Sequence, residues 1–149
     1  MPRLIVWLRR QPKMLLQIVL GTVGAAIILL GLNVGLGGIA TLGWQVDPDF
    51  VAPVDTDVFA VQDSHTRFLG GVWFGVGMLF VAGAVSLRRF ATTLIWLCCV
   101  IAFAGLFRLS AGNPGVVTDA RVIGSFGLEL IGFPLLALWL HKTNKRTAE

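Results

Sequence analysis

One carboxylate in the chain stands where hydrocarbon is expected. Glu129 lies near the middle of VIGSFGLELIGFPLLALWL, residues 122–140, a run of 19 residues that carries no other charge. A run of 18 or more apolar residues is long enough to span a bilayer as a helix. A carboxylate near the midplane of such a helix costs at least ~2.5 kcal/mol even on lenient insertion scales. Charges so placed pair with one another or line a wet cavity. Three arginines stand at the ends of apolar runs from which they can reach inward: Arg67 and Arg121 open runs, and Arg108 closes one. A guanidinium suits the task because its planar fork meets a carboxylate in two hydrogen bonds. Asn33, inside the first apolar run, and Ser125 add hydrogen-bonding groups at similar depth. Arg121, Ser125 and Glu129 also fall at i, i+4 and i+8, one stripe of a helix. The expectation is a buried polar cluster of Asn33, Arg67, Arg108, Arg121, Ser125 and Glu129, with Glu129 ionised and paired with Arg108 or Arg67. Such a cluster either holds helices in register, binds a small molecule or lipid headgroup, or handles a proton.

Other chemistries find less support. Asp47, Asp49, Asp55, Asp57 and Asp63 include two D-x-D pairs. They lack the glycine turn and the terminal glutamate that a calcium loop of the EF-hand type requires. Cys98 and Cys99 are adjacent in an apolar run, without bridging geometry or metal-ligand spacing, and read as small packing residues. His65, beside Asp63 and Arg67, is the one candidate acid or base at the mouth of the cluster, and a solvated histidine is the plainer reading. No Ser-His-Asp arrangement, haem ligand pair, flavin signature or nucleotide signature appears. The expectation is therefore a protein that is not an enzyme, with no cofactor and no metal site.

The elements that must position the cluster are long and apolar. The 149 residues are 56% hydrophobic and only 13% charged, about half the charge of an average soluble domain, and the mean hydropathy is +0.81. The net charge of +4 does not describe a nucleic-acid face, because the basic residues sit at the ends of apolar runs, which is a topology signal. Four helices are expected, over about 14–42, 67–87, 90–109 and 122–140, in a single all-α integral membrane four-helix bundle spanning 14–140. Basic tails, 1–13 and 141–149, flank it. An acidic loop, 43–66, separates the first two helices. The apolar run after the basic N-terminus is too long for a cleaved signal and reads as a retained span. Nine Lys and Arg fall on one side of this arrangement and three on the other. The positive-inside rule then puts both termini in the cytoplasm and the acidic loop outside, as in a multi-pass protein of the cell inner (plasma) membrane.

Glycine spacing points to close helix contact. Gly31 and Gly35, and again Gly71 and Gly75, form GxxxG pairs, while Gly70, Gly77 and Ala84 recur every seven residues. Small residues so spaced let helix backbones approach. They fit lateral packing against a partner membrane protein or a second copy within the lipid bilayer, and no nucleic-acid partner is expected. Trp44 and Trp139 suit the two membrane interfaces. A faint internal echo, RFLGG from Arg67 and RVIGS from Arg121, would fit two helical hairpins related as parallel repeats.

Three motifs in order carry a family resemblance. They are Asp63-Ser64-x-x-Arg67-Phe68-Leu69-Gly70-Gly71-x-Trp73-x-Gly75-x-Gly77, then Ala104-Gly105-Leu106-x-Arg108-Leu109-Ser110 with Gly112-x-Pro114, then Leu128-Glu129-Leu130-x-Gly132-x-Pro134-Leu135-Leu136. Together they resemble the small four-helix bacterial membrane proteins grouped as domain of unknown function 4345, over roughly 14–140. The resemblance implies four transmembrane helices. It also implies that Asp63 joins Arg67, Arg108 and Glu129 in the polar pattern, and it implies no activity. The functional expectation is an accessory or structural membrane subunit. The alternative is small-molecule, lipid or quinone binding, or proton-coupled transport, through the cluster.

Overall fold

A computed structural model describes residues 2–44 and 55–148, with side chains described within 13–41, 55–110 and 112–145. All regular structure among them is helical. The elements are α1 (Pro2–Gly37), a 3-10 turn (Ile39–Trp44), α2 (Thr56–Val85), α3 (Leu87–Phe107), a second 3-10 turn (Arg108–Ala111) and the single turn α4 (Pro114–Val117). The last span is built from α5 (Ile123–Gly127), a π turn (Leu128–Gly132) and α6 (Phe133–Ala148). Four stretches are long and apolar enough to cross a membrane: Lys13–Gly37, Thr56–Val85, Leu87–Ser110 and Ile123–Lys145.

The helix limits differ from the sequence expectation for local reasons. The first helix, expected over 14–42, begins at Pro2 and stops at Gly37. Gly38 ends it by taking φ +73, in the left-handed region, where a side chain is strained and glycine is not. The second helix, expected from Arg67, begins at Thr56. Asp55 starts it, accepting the N–H groups of Asp57 and Val58 through Oδ1 at 3.0 and 3.1 Å, which is how an N-cap satisfies first-turn donors. The later half of the acidic segment is therefore helix, while 45–54, with Asp47 and Asp49, lies outside the described residues. The third helix begins at Leu87 rather than Phe90. The fourth runs on to Ala148, so the backbone of the tail expected over 141–149 is helical as far as that residue. The backbone of the tail expected over 1–13 is helical from Pro2.

The chain divides into two compact units, Val19–Ala82 and a second made of Met1–Ile18 with Gly83–Glu149. In the first, α1 and α2 approach backbone to backbone. Gly24, Ile27, Gly31 and Val34 form a buried stripe on α1, with the alternating three- and four-residue spacing of a helix seam. A Cβ on Gly24 would come within 2.9 Å of the Gly77 carbonyl, and one on Gly31 within 2.8 Å of the Gly70 carbonyl. Gly70 in turn meets Gly35, where a Cβ would fall 2.5 Å from Cα. Lipid tails give no hydrophobic incentive for helices to associate, so van der Waals contact at this range is what holds such a pair. The other GxxxG pair behaves differently: nothing lies within 4 Å of a Cβ on Gly71 or Gly75.

In the second unit, α3 packs mainly on α6. Ala91, Leu94, Cys98, Ile101 and Gly105 form the buried face of α3, against a core that includes Leu136, Ala137 and Leu140. Cys98 is buried and Cys99 exposed, and both are free thiols. Gln17 Nε2 donates to the Ala84 carbonyl at 2.8 Å, which ties the α1 segment of this unit to the end of α2.

Candidate functional site

Glu129 is built into the second unit by three local features. The backbone around it winds as a π turn, Leu128–Gly132. Such a turn shifts side chains out of α-helical register and occurs often at functional sites. Gly105 faces it from α3: a Cβ there would meet Glu129 Cβ at 2.9 Å and Oε2 at 3.2 Å. Only a residue without a side chain leaves room for the carboxylate arm. Arg108 follows three residues on, at the end of α3, so it lies on the face that Gly105 opens. Its Nε donates to Glu129 Oε2 and its Nη2 to Oε1, both at 2.7 Å. This is a two-pronged, charge-assisted pair.

The two partners are unequally exposed. The Glu129 side chain is 11% exposed and that of Arg108 is 41% exposed. The carboxylate is the enclosed member, and the arginine reaches in from the more exposed side. The arrangement can neutralise a buried charge, and it leaves one guanidinium face open to a further anionic or polar group.

Asp63 and Arg67 belong to the first unit and form a second constellation. They stand at i, i+4 on α2, with Arg67 Nε donating to Asp63 Oδ2 at 2.6 Å. Arg67 Nη1 also donates to the Leu36 carbonyl, one of the acceptors that the end of α1 leaves without an intrahelical partner. Asp63 Oδ1 accepts the Ile39 N–H at 2.7 Å. A cation thus meets the negative end of α1, and a carboxylate takes the Ile39 donor just beyond Gly38. Gly38 permits the closure, since a Cβ there would collide with Asp63 Oδ1. Thr41 completes the turn, its hydroxyl donating to the Asn33 carbonyl at 2.9 Å.

The remaining expected members stand apart. Arg121 pairs with Asp119, Nε to Oδ1 at 3.0 Å. Asp119 also accepts the Arg121 backbone N–H at 2.9 Å. The guanidinium, with that N–H, holds the Asp119 carboxyl down at about 2. Ser125 donates to the Val122 carbonyl at 2.9 Å and is exposed. The stripe expected through Arg121, Ser125 and Glu129 does not form one network, because Arg121 lies before α5 and Glu129 within the π turn. Asn33 Oδ1 is buried and has no hydrogen-bond partner among the described residues. Arg67, weighed as a partner for Glu129, is engaged by Asp63 instead. The Arg67 and Arg121 echo diverges as well: Gly70 packs on α1, whereas nothing lies within 4 Å of a Cβ on Gly124. Sequence reasoning missed the role of Gly105 and the end-capping role of Asp63. The available signals were the three-residue step from Gly105 to Arg108 and the four-residue step from Asp63 to Arg67.

Four apolar helices of spanning length, with charges paired at or near their ends, make the class of the chain that of a multi-pass membrane protein. More narrowly, it belongs to the family described as domain of unknown function (DUF4345), whose model matches residues 15–140. No curated protein and no solved structure matches the chain.

Proposed function

We propose that the protein is a non-enzymatic membrane subunit whose polar groups fasten its own helices, leaving its outer helix faces for lipid and a partner chain. The observation that carries this reading is the closed Arg108–Glu129 pair, in which both carboxylate oxygens are taken by one guanidinium. A carboxylate so occupied is a fastening before it is a base. Gly71 and Gly75, exposed and without neighbours, support a lateral partner on α2. The excess of Lys and Arg at one set of helix ends supports cytoplasmic termini in an inner, plasma-type membrane. Native mass spectrometry of the full chain extracted from its own membrane tests the reading. A partner chain or a second copy retained at fixed stoichiometry is expected. A lone chain carrying a bound small molecule would refute it.

A second reading rests on the π turn at Glu129 and the open side of Arg108. Together they suit a site for a small anionic or quinone-like molecule, or a carboxylate that exchanges a proton. A bound molecule lost in Arg108→Ala, or pH-driven uptake into vesicles lost in Glu129→Gln, would establish it over the first.

A further inference from the structure

Away from the Arg108–Glu129 pair, the second unit holds a cavity of about 630 Å³. Its lining joins the ends of all four spans: Lys13 from the first, Val85 from the second, Leu87–Arg89 from the third, and Thr143 and Asn144 from the fourth. Among the described residues that line it, three are cations, Lys13, Arg88 and Arg89, and none is acidic. The described carboxylates, Asp55, Asp57, Asp63, Asp119 and Glu129, all lie elsewhere in the chain. Arg89 stacks on the Phe90 ring at 5.7 Å, and none of the three cations has a carboxylate partner among the described residues. Gln17, Ser86, Thr143 and Asn144 add hydrogen-bonding groups, while Val85, Leu87, Ala91 and Leu140 give the same cavity an apolar wall. The 21-residue helix α3 also begins here, with no side-chain cap bond from Ser86, so the positive end of its dipole adds to the field.

We propose that this cavity binds the headgroup phosphate of an anionic phospholipid. Three cations without acidic neighbours among the described residues select a group with net negative charge. The position at the boundary of four apolar spans selects a ligand whose other end is hydrocarbon, which the apolar wall receives. A soluble phosphate compound shares the anionic chemistry but has no use for that wall. Polybasic sites at this depth recognise anionic lipid through the same forces.

The test uses the full chain in detergent, titrated in parallel with dioleoyl phosphatidylglycerol and dioleoyl phosphatidylcholine, adducts being followed by native mass spectrometry. The expected result is one phosphatidylglycerol held about tenfold or more tightly than phosphatidylcholine. That preference is lost in Arg88→Gln/Arg89→Gln and kept in Arg88→Lys/Arg89→Lys. Equal retention of the two lipids, or a preference untouched by the glutamine pair, overturns the proposal. Displacement of the lipid by millimolar inorganic phosphate reassigns the cavity to a soluble anion and overturns it too. If the glutamine variant fails to fold, salt decides on the wild-type chain. The preference should fall as ionic strength rises from about 0.05 M to about 0.5 M, where screening shortens to a few ångströms, and indifference to salt refutes the assignment.

Discussion

Truncating Arg108 and neutralising Glu129 break the same pair, yet the structure predicts unequal costs. In Arg108→Ala the carboxylate stays where it is, with its side chain 11% exposed and Gly105 packed against it. Stranding one member of a buried ion pair costs about 3–5 kcal/mol. The lower end, about 3 kcal/mol, applies here because the lost partner is itself part-exposed at the end of its span, where its attraction is the weaker. In Glu129→Gln the stranded group is Arg108, 41% exposed, which can turn to solvent while keeping one hydrogen bond to the amide. That change should cost about 1 kcal/mol, the worth of an ordinary hydrogen bond. The double replacement Arg108→Met/Glu129→Met removes both charges and leaves apolar volume, so it should fall within about 1 kcal/mol of wild type. Reversible unfolding in mixed detergent micelles, read by tryptophan fluorescence, gives the three values. Equal costs for the two single changes, or a double change costing their sum, would refute the picture of one buried carboxylate neutralised by a more exposed arginine.

Other perturbations test the neighbouring devices. Gly31→Ala places a methyl within 2.8 Å of the Gly70 carbonyl, so α1 and α2 must part at a cost of about 1–3 kcal/mol, whereas Gly71→Ala meets nothing and should be neutral or stabilising by up to about 1 kcal/mol; both are read by the same unfolding assay. Arg67→Ala removes a charge-assisted bond to the end of α1 and should lower stability by about 1–2 kcal/mol, and hydrogen exchange should then rise first at Ile39 and the last turn of α1. The Asp119 carboxyl, held down at about 2, should titrate near that value in a carboxyl-resolved NMR experiment and rise part of the way towards about 3.9 in Arg121→Gln, where the backbone N–H of residue 121 still donates to it. Because the folded chain binds this proton less readily than the unfolded chain, the stabilisation is present above pH ~4 and is lost as pH falls towards about 2.

Hydropathy made the four spans readable, since runs of 18 or more apolar residues have few other uses. Pairing Glu129 with an arginine was readable too, because a charge at that depth needs a partner and Arg108 ends the preceding span. Which arginine would answer was not readable. By sequence Arg67 is an equal candidate, because the run of carboxylates over 43–66 reads as an acidic loop and gives Asp63 no helical register to Arg67. The Asp55 N-cap and the four-residue step from Asp63 to Arg67 were present in the sequence, but they are weak signals beside a run of carboxylates. The π turn was not readable at all. LELIG has the composition of any helix segment. For the glycines, spacing announced two close-packing faces on α2 without telling which would be used. The contacts with Gly31 and Gly35 decide for Gly70, and the contact with Gly24 decides for Gly77.

The measurement that bears most directly on the account is the separation of two atoms in a bilayer. With Arg108 guanidinium nitrogens labelled with nitrogen-15 and Glu129 Cδ with carbon-13, dipolar recoupling by solid-state NMR should show strong dephasing, as a two-bond contact at 2.7 Å requires. The absence of that dephasing would contradict it.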